Sequence, residues 1–205
     1  MIVKVCGISD IEFIHRIDEL KIDFIGFIFY QASKRYLGNN IPPEPIKSLP
    51  ERLKKVGVFV NEKKENILHT VEKYQLDYMQ LHGDEDPVFI QEISKNIRVI
   101  KAFRLSNSFD FSKLFDFEGL CAYYLFDTKD KLYGGTGKKF NWNMLKNYTA
   151  NTPFLLSGGI TASDAENIND IDHPMFAGVD INSGFETEPG KKDIQQIKLF
   201  INQLI

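Results

Sequence analysis

The chain has 205 residues, a formal net charge of −3, 43% hydrophobic and 26% charged residues, and two cysteines. That length suits a single domain, here residues 1–205, with a core that needs no staples. The charge balance excludes the clustered basic face of a nucleic-acid binder. Cys6 and Cys121 are too few for a disulfide framework and read as free thiols of a reducing cytoplasm.

Met1-Ile2-Val3-Lys4 leads straight into a strand, without the long apolar stretch of a signal peptide, and no run reaches the ~20 apolar residues of a membrane helix. Strands are expected at Ile2–Cys6, Phe24–Phe29, Lys55–Val60, Tyr78–His82, Val99–Phe103, Ala122–Asp127, Pro153–Ser157 and Gly178–Ile181. Most are continuous apolar runs rather than alternating ones, the pattern of strands buried on both faces of a parallel sheet.

Between them lie helices of 3.6 period. In the first, Ile8, Ile11, Ile14, Ile17 and Leu20 form one stripe, and Ser9 with Glu12 reads as a capping box. Asn61 is the expected cap of the helix carrying Ile67, Leu68 and Val71. Asp86-Pro87 places a cap and then a proline at the first helical position. The last helix carries Ile194, Ile197, Ile201 and Leu204. Eight strand–helix units point to an α/β fold, a closed (β/α)₈ TIM barrel, with a doubly wound open sheet as the alternative. Two connections exceed what a βα loop needs, Tyr30 to about Pro43 and Thr128 to Lys139; such loops are commonly functional.

The candidate chemistry sits at strand ends. Cys6 and Asp127 each close an apolar run before a loop, so a thiol and a carboxyl can face one pocket as base and acid. A buried core thiol and a helix-cap carboxyl are the bland alternatives. Gly158-Gly159 and Asn182-Ser183-Gly184 follow the seventh and eighth strands, where barrels build phosphate sites; ordinary tight turns are the alternative. Arg35 lies in the second βα loop, placed either to grip a carboxylate or as a surface charge. His82 ends the fourth strand. His15, His69 and His173 lack metal-ligand spacing, so no metal site is expected. The run Gly134-Gly135-Thr136-Gly137-Lys138-Lys139 is not a Walker A loop and reads as a substrate loop or lid.

In order along the chain, Lys4-Val5-Cys6-Gly7-Ile8, Gly26-Phe27-Ile28-Phe29-Tyr30 with Ser33-Lys34-Arg35-Tyr36, Val58-Phe59-Val60-Asn61 and Gln80-Leu81-His82-Gly83-Asp84-Glu85 form a specific series. It continues through Asp127-Thr128, Gly134-Gly135-Thr136-Gly137, Ser157-Gly158-Gly159-Ile160 and Asp180-Ile181-Asn182-Ser183-Gly184-Phe185-Glu186-Thr187 to Pro189-Gly190 and Lys192-Asp193. This series resembles the phosphoribosylanthranilate isomerase family of tryptophan biosynthesis. Ser157, Asn182 and Phe185 depart from that family's usual Ala, Ser and Val.

The resemblance implies an Amadori rearrangement of N-(5-phosphoribosyl)anthranilate to 1-(2-carboxyphenylamino)-1-deoxyribulose 5-phosphate, an aldose–ketose isomerisation. It implies Asp127 as the acid on the ring oxygen and Cys6 as the base at C2. Arg35 would lie on the anthranilate carboxylate, with His82, Gly158, Gly159, Asp180, Asn182, Ser183 and Gly184 around the phosphosugar. The implied cofactor is none, because the substrate nitrogen is the electron sink. The expected protein is cytoplasmic, without membrane or nucleic-acid partners, and a monomer or homodimer. The competing readings are a histidine-pathway type of isomerase, which uses two aspartates, a non-catalytic phosphosugar-binding protein, and a redox thiol.

Overall fold

A computed structural model describes residues 1–128 and 139–205. Eight parallel strands close into one barrel in chain order: β1 (Ile2–Val5), β2 (Phe24–Ile28), β3 (Lys54–Phe59), β4 (Tyr78–Leu81), β5 (Arg98–Leu105), β6 (Tyr123–Thr128), β7 (Phe154–Leu156) and β8 (Phe176–Ile181). Closure runs through β1 and β8, with Lys4 beside Asp180 and Val5 beside Ile181. An open doubly wound sheet is thereby excluded. Each observed strand overlaps the expected one, because burial on both faces leaves a continuous apolar run in the sequence.

Two apolar layers build the core. Inside the barrel Phe24, Val56, Tyr78, Ile100, Ala102, Leu125 and Leu155 pack together. Outside it a larger cluster joins the sheet to its helices, among them Val5, Phe27, Ile67, Ile90, Phe126, Ile168 and Ile197. Each such side chain contributes roughly 1.5–3 kcal/mol on burial. Same-face residues recur every second position along a strand. In β4 and just beyond it, Tyr78 therefore lies in the interior floor, Gln80 above it and His82 at the mouth. The interior is a packed plug with Lys4, Gln80 and Asp180 buried above its floor, which leaves the C-terminal mouth as the place for chemistry.

The helices are short: α1 (Ile11–His15), α2 (Pro43–Lys47), α3 (Lys64–Tyr74), α4 (Pro87–Ile93), α5 (Ala165–Asn169) and α6 (Ile194–Ile201). Between β5 and β6, and between β6 and β7, the crossovers are 3₁₀ turns at Phe111–Phe117 and Trp142–Asn147. Asp86 caps α4 through the N–H of Phe89, with Pro87 at its first position, as expected. Two expected caps are corrected. Asp10, not Ser9, caps α1 by accepting from the N–H of Glu12. Ser9 is instead covered by Gly190, whose carbonyl accepts its N–H. The N-cap of α3 is Lys63, without a side-chain bond. Asn61 takes a left-handed turn at φ 48° and its Oδ1 accepts the N–H of Asp84, pinning the loop after β4. Leu204 lies past the end of α6, half-buried. Among the described residues no helix is long and apolar enough to cross a membrane.

After β8 the chain forms an antiparallel hairpin, β9 (Glu186–Glu188) with β10 (Lys191–Lys192). Pro189-Gly190 makes its turn, with Gly190 at φ 89°. This hairpin brings two charged residues, Glu186 and Lys192, to the mouth.

Candidate active site

Cys6 follows β1 directly and is 3% exposed. Its thiol fits because β2 carries Gly26 opposite; a Cβ there would meet Sγ at 2.7 Å. One layer below, Lys4 is fully buried and its ammonium lies 2.8 Å from Asp180 Oδ1. The Lys4 charge also acts on the thiol. Burial pushes the Cys6 thiol up from its ordinary range, Lys4 and Lys192 pull against that shift, and Asp180 adds to it. Burial works against a charged Lys4, yet the carboxylate of Asp180 holds it raised.

Asp127 is the penultimate residue of β6 and is buried. Its Oδ1 accepts the N–H of Thr128 at 2.8 Å, and its Oδ2 lies 3.1 Å from His82 Nε2. Gly158 packs onto this carboxyl at φ 89°, where a Cβ would meet Asp127 Oδ1 at 2.7 Å. Thus the loop after β7, the end of β6 and the residue after β4 converge on one acidic group. His82 is held from behind by Gln80 Nε2, 2.9 Å from its Nδ1. The following loop is fixed by Glu85, which accepts the N–H groups of Gly83 and Asn61 and pairs with Lys101 at 2.9 Å in a buried bridge.

Arg35 lies on the loop after β2, and its guanidinium is gripped bidentately by Glu186 of β9, with Nε 2.8 Å from Oε1 and Nη2 2.7 Å from Oε2. Glu186 also pairs with Lys192 of β10, whose ammonium donates to Asn182 Oδ1 at 2.8 Å. The Arg35 and Lys192 bonds hold the Glu186 carboxyl below its usual range, although burial pushes the other way. Burial brings Lys192 down to about 8, against the pull of Glu186. Gly7 connects this cluster to the thiol. At φ 75° a Cβ on it would meet Arg35 Cδ and Asn182 Oδ1, each at 2.8 Å.

Gly158 and Gly159 are both left-handed, at φ 89° and 68°. Gly184 packs against the Ile160 carbonyl, so the loops after β7 and β8 touch. Ser183–Phe185 forms a single 3₁₀ turn anchored by Phe185, whose ring lies 4.8 Å from that of Phe200. Of the family departures, Ser157 turns its hydroxyl to Asp180, 3.3 Å from Oδ2, and Asn182 is engaged by Lys192. Asp180, expected around the phosphosugar, is 4% exposed with its carboxylate held by Lys4 and Ser157.

Cys6, Arg35, His82, Asp127, Gly158, Gly159, Asn182, Ser183 and Gly184 therefore all sit at the C-terminal mouth of the barrel. The glycine-rich run 134–138 lies outside the described residues. Lys4, Gln80, Glu186 and Lys192 were not singled out from the sequence as site residues. A lysine or glutamine inside an otherwise apolar strand is the signal that marks the first two, since buried polar groups need partners.

The model of the N-(5'phosphoribosyl)anthranilate (PRA) isomerase family matches residues 3–203. The chain belongs to this family. It is 47% identical over 208 residues to the N-(5'-phosphoribosyl)anthranilate isomerase of Parabacteroides distasonis, covering all of this chain and 94% of that protein. The solved phosphoribosyl anthranilate isomerase of Thermotoga maritima superposes with a TM-score of 0.85 at 38% identity, covering 99% of this chain and 98% of the other. A solved phosphoribosyl anthranilate isomerase in complex with reduced 1-(o-carboxyphenylamino)-1-deoxyribulose 5-phosphate superposes with a TM-score of 0.82 at 35% identity, with the same coverages. The chain is thus an isomerase, and its reaction is the Amadori rearrangement of phosphoribosylanthranilate in tryptophan biosynthesis.

Proposed function

We propose that Asp127 is the general acid and Cys6 the general base of this rearrangement. The observation that carries the assignment is their placement. Each closes an interior face of the barrel at the mouth, Asp127 against His82 and Cys6 one layer above the buried Lys4–Asp180 pair. Asp127 protonates the ribose ring oxygen as the C1–O bond breaks, and the anthranilate nitrogen takes up the electron deficiency as an iminium ion. Cys6 then removes the C2 proton, and the electron pair flows to the nitrogen to give the enamine, which tautomerises to the ketose. Burial favours the neutral thiol, so Cys6 first gives its proton to water, and Lys4, Lys192 and the iminium cation favour the thiolate that then takes the C2 proton.

Arg35, held flat by Glu186, offers its guanidinium to the anthranilate carboxylate. The touching loops at Gly158-Gly159 and Ser183-Gly184 offer backbone N–H groups to the phosphate. Asp180 supports the base through Lys4 rather than meeting the sugar. No cofactor is required, because the substrate nitrogen supplies the electron sink. The phosphosugar is the partner, and a cytoplasmic setting fits two unpaired thiols.

The test is turnover of phosphoribosylanthranilate by folded Cys6→Ser and Asp127→Asn variants, followed as loss of anthranilate-type fluorescence. Both should lose about 10²–10⁴-fold in kcat, the span of general acid–base catalysis, with KM within a few-fold. Near-parental turnover in either variant removes that residue from its role.

A further inference from the structure

Gln80, in an upper layer of the barrel interior, is a polar side chain that the reaction as described does not use. Gln80 is 1% exposed, and its Oε1 is buried with no hydrogen-bond partner. Its Nε2 lies 2.9 Å from His82 Nδ1, and the opposite ring nitrogen of His82 lies 3.1 Å from Asp127 Oδ2. We infer that Gln80 is a positioning residue whose side-chain amide sets the tautomer of His82 and, through it, keeps the proton on Asp127. The inference rests on Asp127 being the acid.

A neutral imidazole carries one N–H and one lone pair, so what faces Nδ1 decides what Nε2 presents. With the amide N–H donating to Nδ1, Nε2 must carry the hydrogen and donate it to Asp127. That arrangement suits an ionised carboxylate and leaves the Gln80 carbonyl without a partner. A half-turn of the amide exchanges its acceptor and donor in nearly the same volume. The carbonyl then accepts from Nδ1–H, the amide NH2 takes the place where no partner faces it, and the His82 Nε2 lone pair accepts from an O–H on Asp127. The Thr128 N–H serves Asp127 Oδ1 in both arrangements.

The other groups around Asp127 show why such a device is needed. Arg104 of β5 lies in register beside Asp127 and is engaged by Asp84 at 2.7 Å, and a guanidinium has no acceptor to offer a protonated carboxyl. On the β7 side Gly158 presents only backbone. Among these neighbours from β4, β5 and β7, the pair Gln80–His82 is the one that can favour the protonated form. Turnover passes this proton to the ring oxygen, and water restores it after product release.

The experiment compares Gln80→Met with Gln80→Glu. Met keeps the volume and removes both amide atoms, while Glu keeps an oxygen that accepts from Nδ1–H. Gln80→Met should lose about tenfold or more in kcat at pH 7, within the reach of general acid catalysis, with KM within about two-fold. The basic limb of its kcat profile should move to lower pH. Gln80→Glu should keep most of the activity. If Gln80 only packs, the apolar variant is harmless and the buried acid is the damaging one, and that outcome overturns the inference. Should either variant fail to fold, the parent labelled with ¹⁵N-histidine decides. In complex with reduced 1-(o-carboxyphenylamino)-1-deoxyribulose 5-phosphate, His82 should be the Nδ1–H tautomer, and an Nε2–H tautomer there overturns the proposal. Asp127→Asn measured alongside separates the layers. Activity retained there removes the acid assignment itself, whereas an inactive Asp127→Asn with an unaltered Gln80→Met removes only the role of Gln80.

Discussion

Lys192 and Glu186 face each other across the hairpin after β8, and solvent reaches almost none of either side chain. Glu186 has a second cation in Arg35, whereas the Lys192 ammonium is shared between Glu186 and Asn182. The redundancy is on the acidic side. Removing Lys192 leaves Glu186 paired, so the barrel keeps its charge balance at that point and the effect on Cys6 can be read separately.

Lys192→Met should therefore act on the base. Lys192 is one of two cations that pull the Cys6 thiol down against burial. Without it the thiol rises further, and because the thiolate is the active form, a higher pH is needed to produce it. The limb of the kcat/KM profile governed by Cys6 should move to higher pH, with less activity at pH 7. Folding has its own sign. In the folded chain Lys192 sits at about 8, below the ordinary 10.5, so the unfolded chain binds more protons between those values. Its contribution to stability rises with pH across that window, and the variant should lack the rise. Thermal melts from pH 7 to 10.5, beside the rate profile, check both; an unmoved limb separates Lys192 from the base.

Gly158→Ala tests the close fit behind the acid. The residue sits at φ 89°, and a Cβ would meet the Thr128 nitrogen at 2.6 Å and Asp127 Oδ1 at 2.7 Å. The left-handed backbone alone costs about 1–3 kcal/mol for a residue with a side chain. The contact falls on backbone and on the carboxyl, so Asp127 must move away from His82. A lower melting temperature with a kcat loss beyond what unfolding explains is the expected result. Parental kcat would mean that the acid tolerates displacement.

The strands were legible because parallel strands in a closed barrel bury both faces and so write unbroken apolar runs. Phe24–Ile28 was found to within one residue of Phe24–Phe29. The strand ends were legible because a polar residue there has the mouth to face. Asp127 and His82 were placed correctly on that ground, but their mutual contact, across 45 residues of chain, was not. The pairing of Lys4 with Asp180 spans 176 residues and appears only when β1 meets β8 to close the barrel. Asn61 shows a different limit. An asparagine before a helix pattern suits a cap, but it suits a left-handed turn equally well, and tertiary contact with Asp84 decided between them. The hairpin of Glu186 and Lys192 did leave a mark, since Pro189-Gly190 between two short charged runs is a turn signal.

Arg35→Met bears on substrate grip. The guanidinium is already fixed by two parallel bonds to Glu186, so little side-chain freedom is lost when a second carboxylate arrives. Truncating one partner of a desolvated charge pair costs about 2–5 kcal/mol, less where water enters, so KM should rise by tenfold or more while kcat changes less. The fold should survive, because Glu186 keeps Lys192 and the N–H of Gly190 as partners. Calorimetric titration with reduced 1-(o-carboxyphenylamino)-1-deoxyribulose 5-phosphate separates grip from chemistry. Weaker binding of that compound by Arg35→Met, together with unchanged binding of inorganic phosphate, places the guanidinium on the anthranilate end. Equal affinity of parent and variant would confine Arg35 to bracing the hairpin through Glu186.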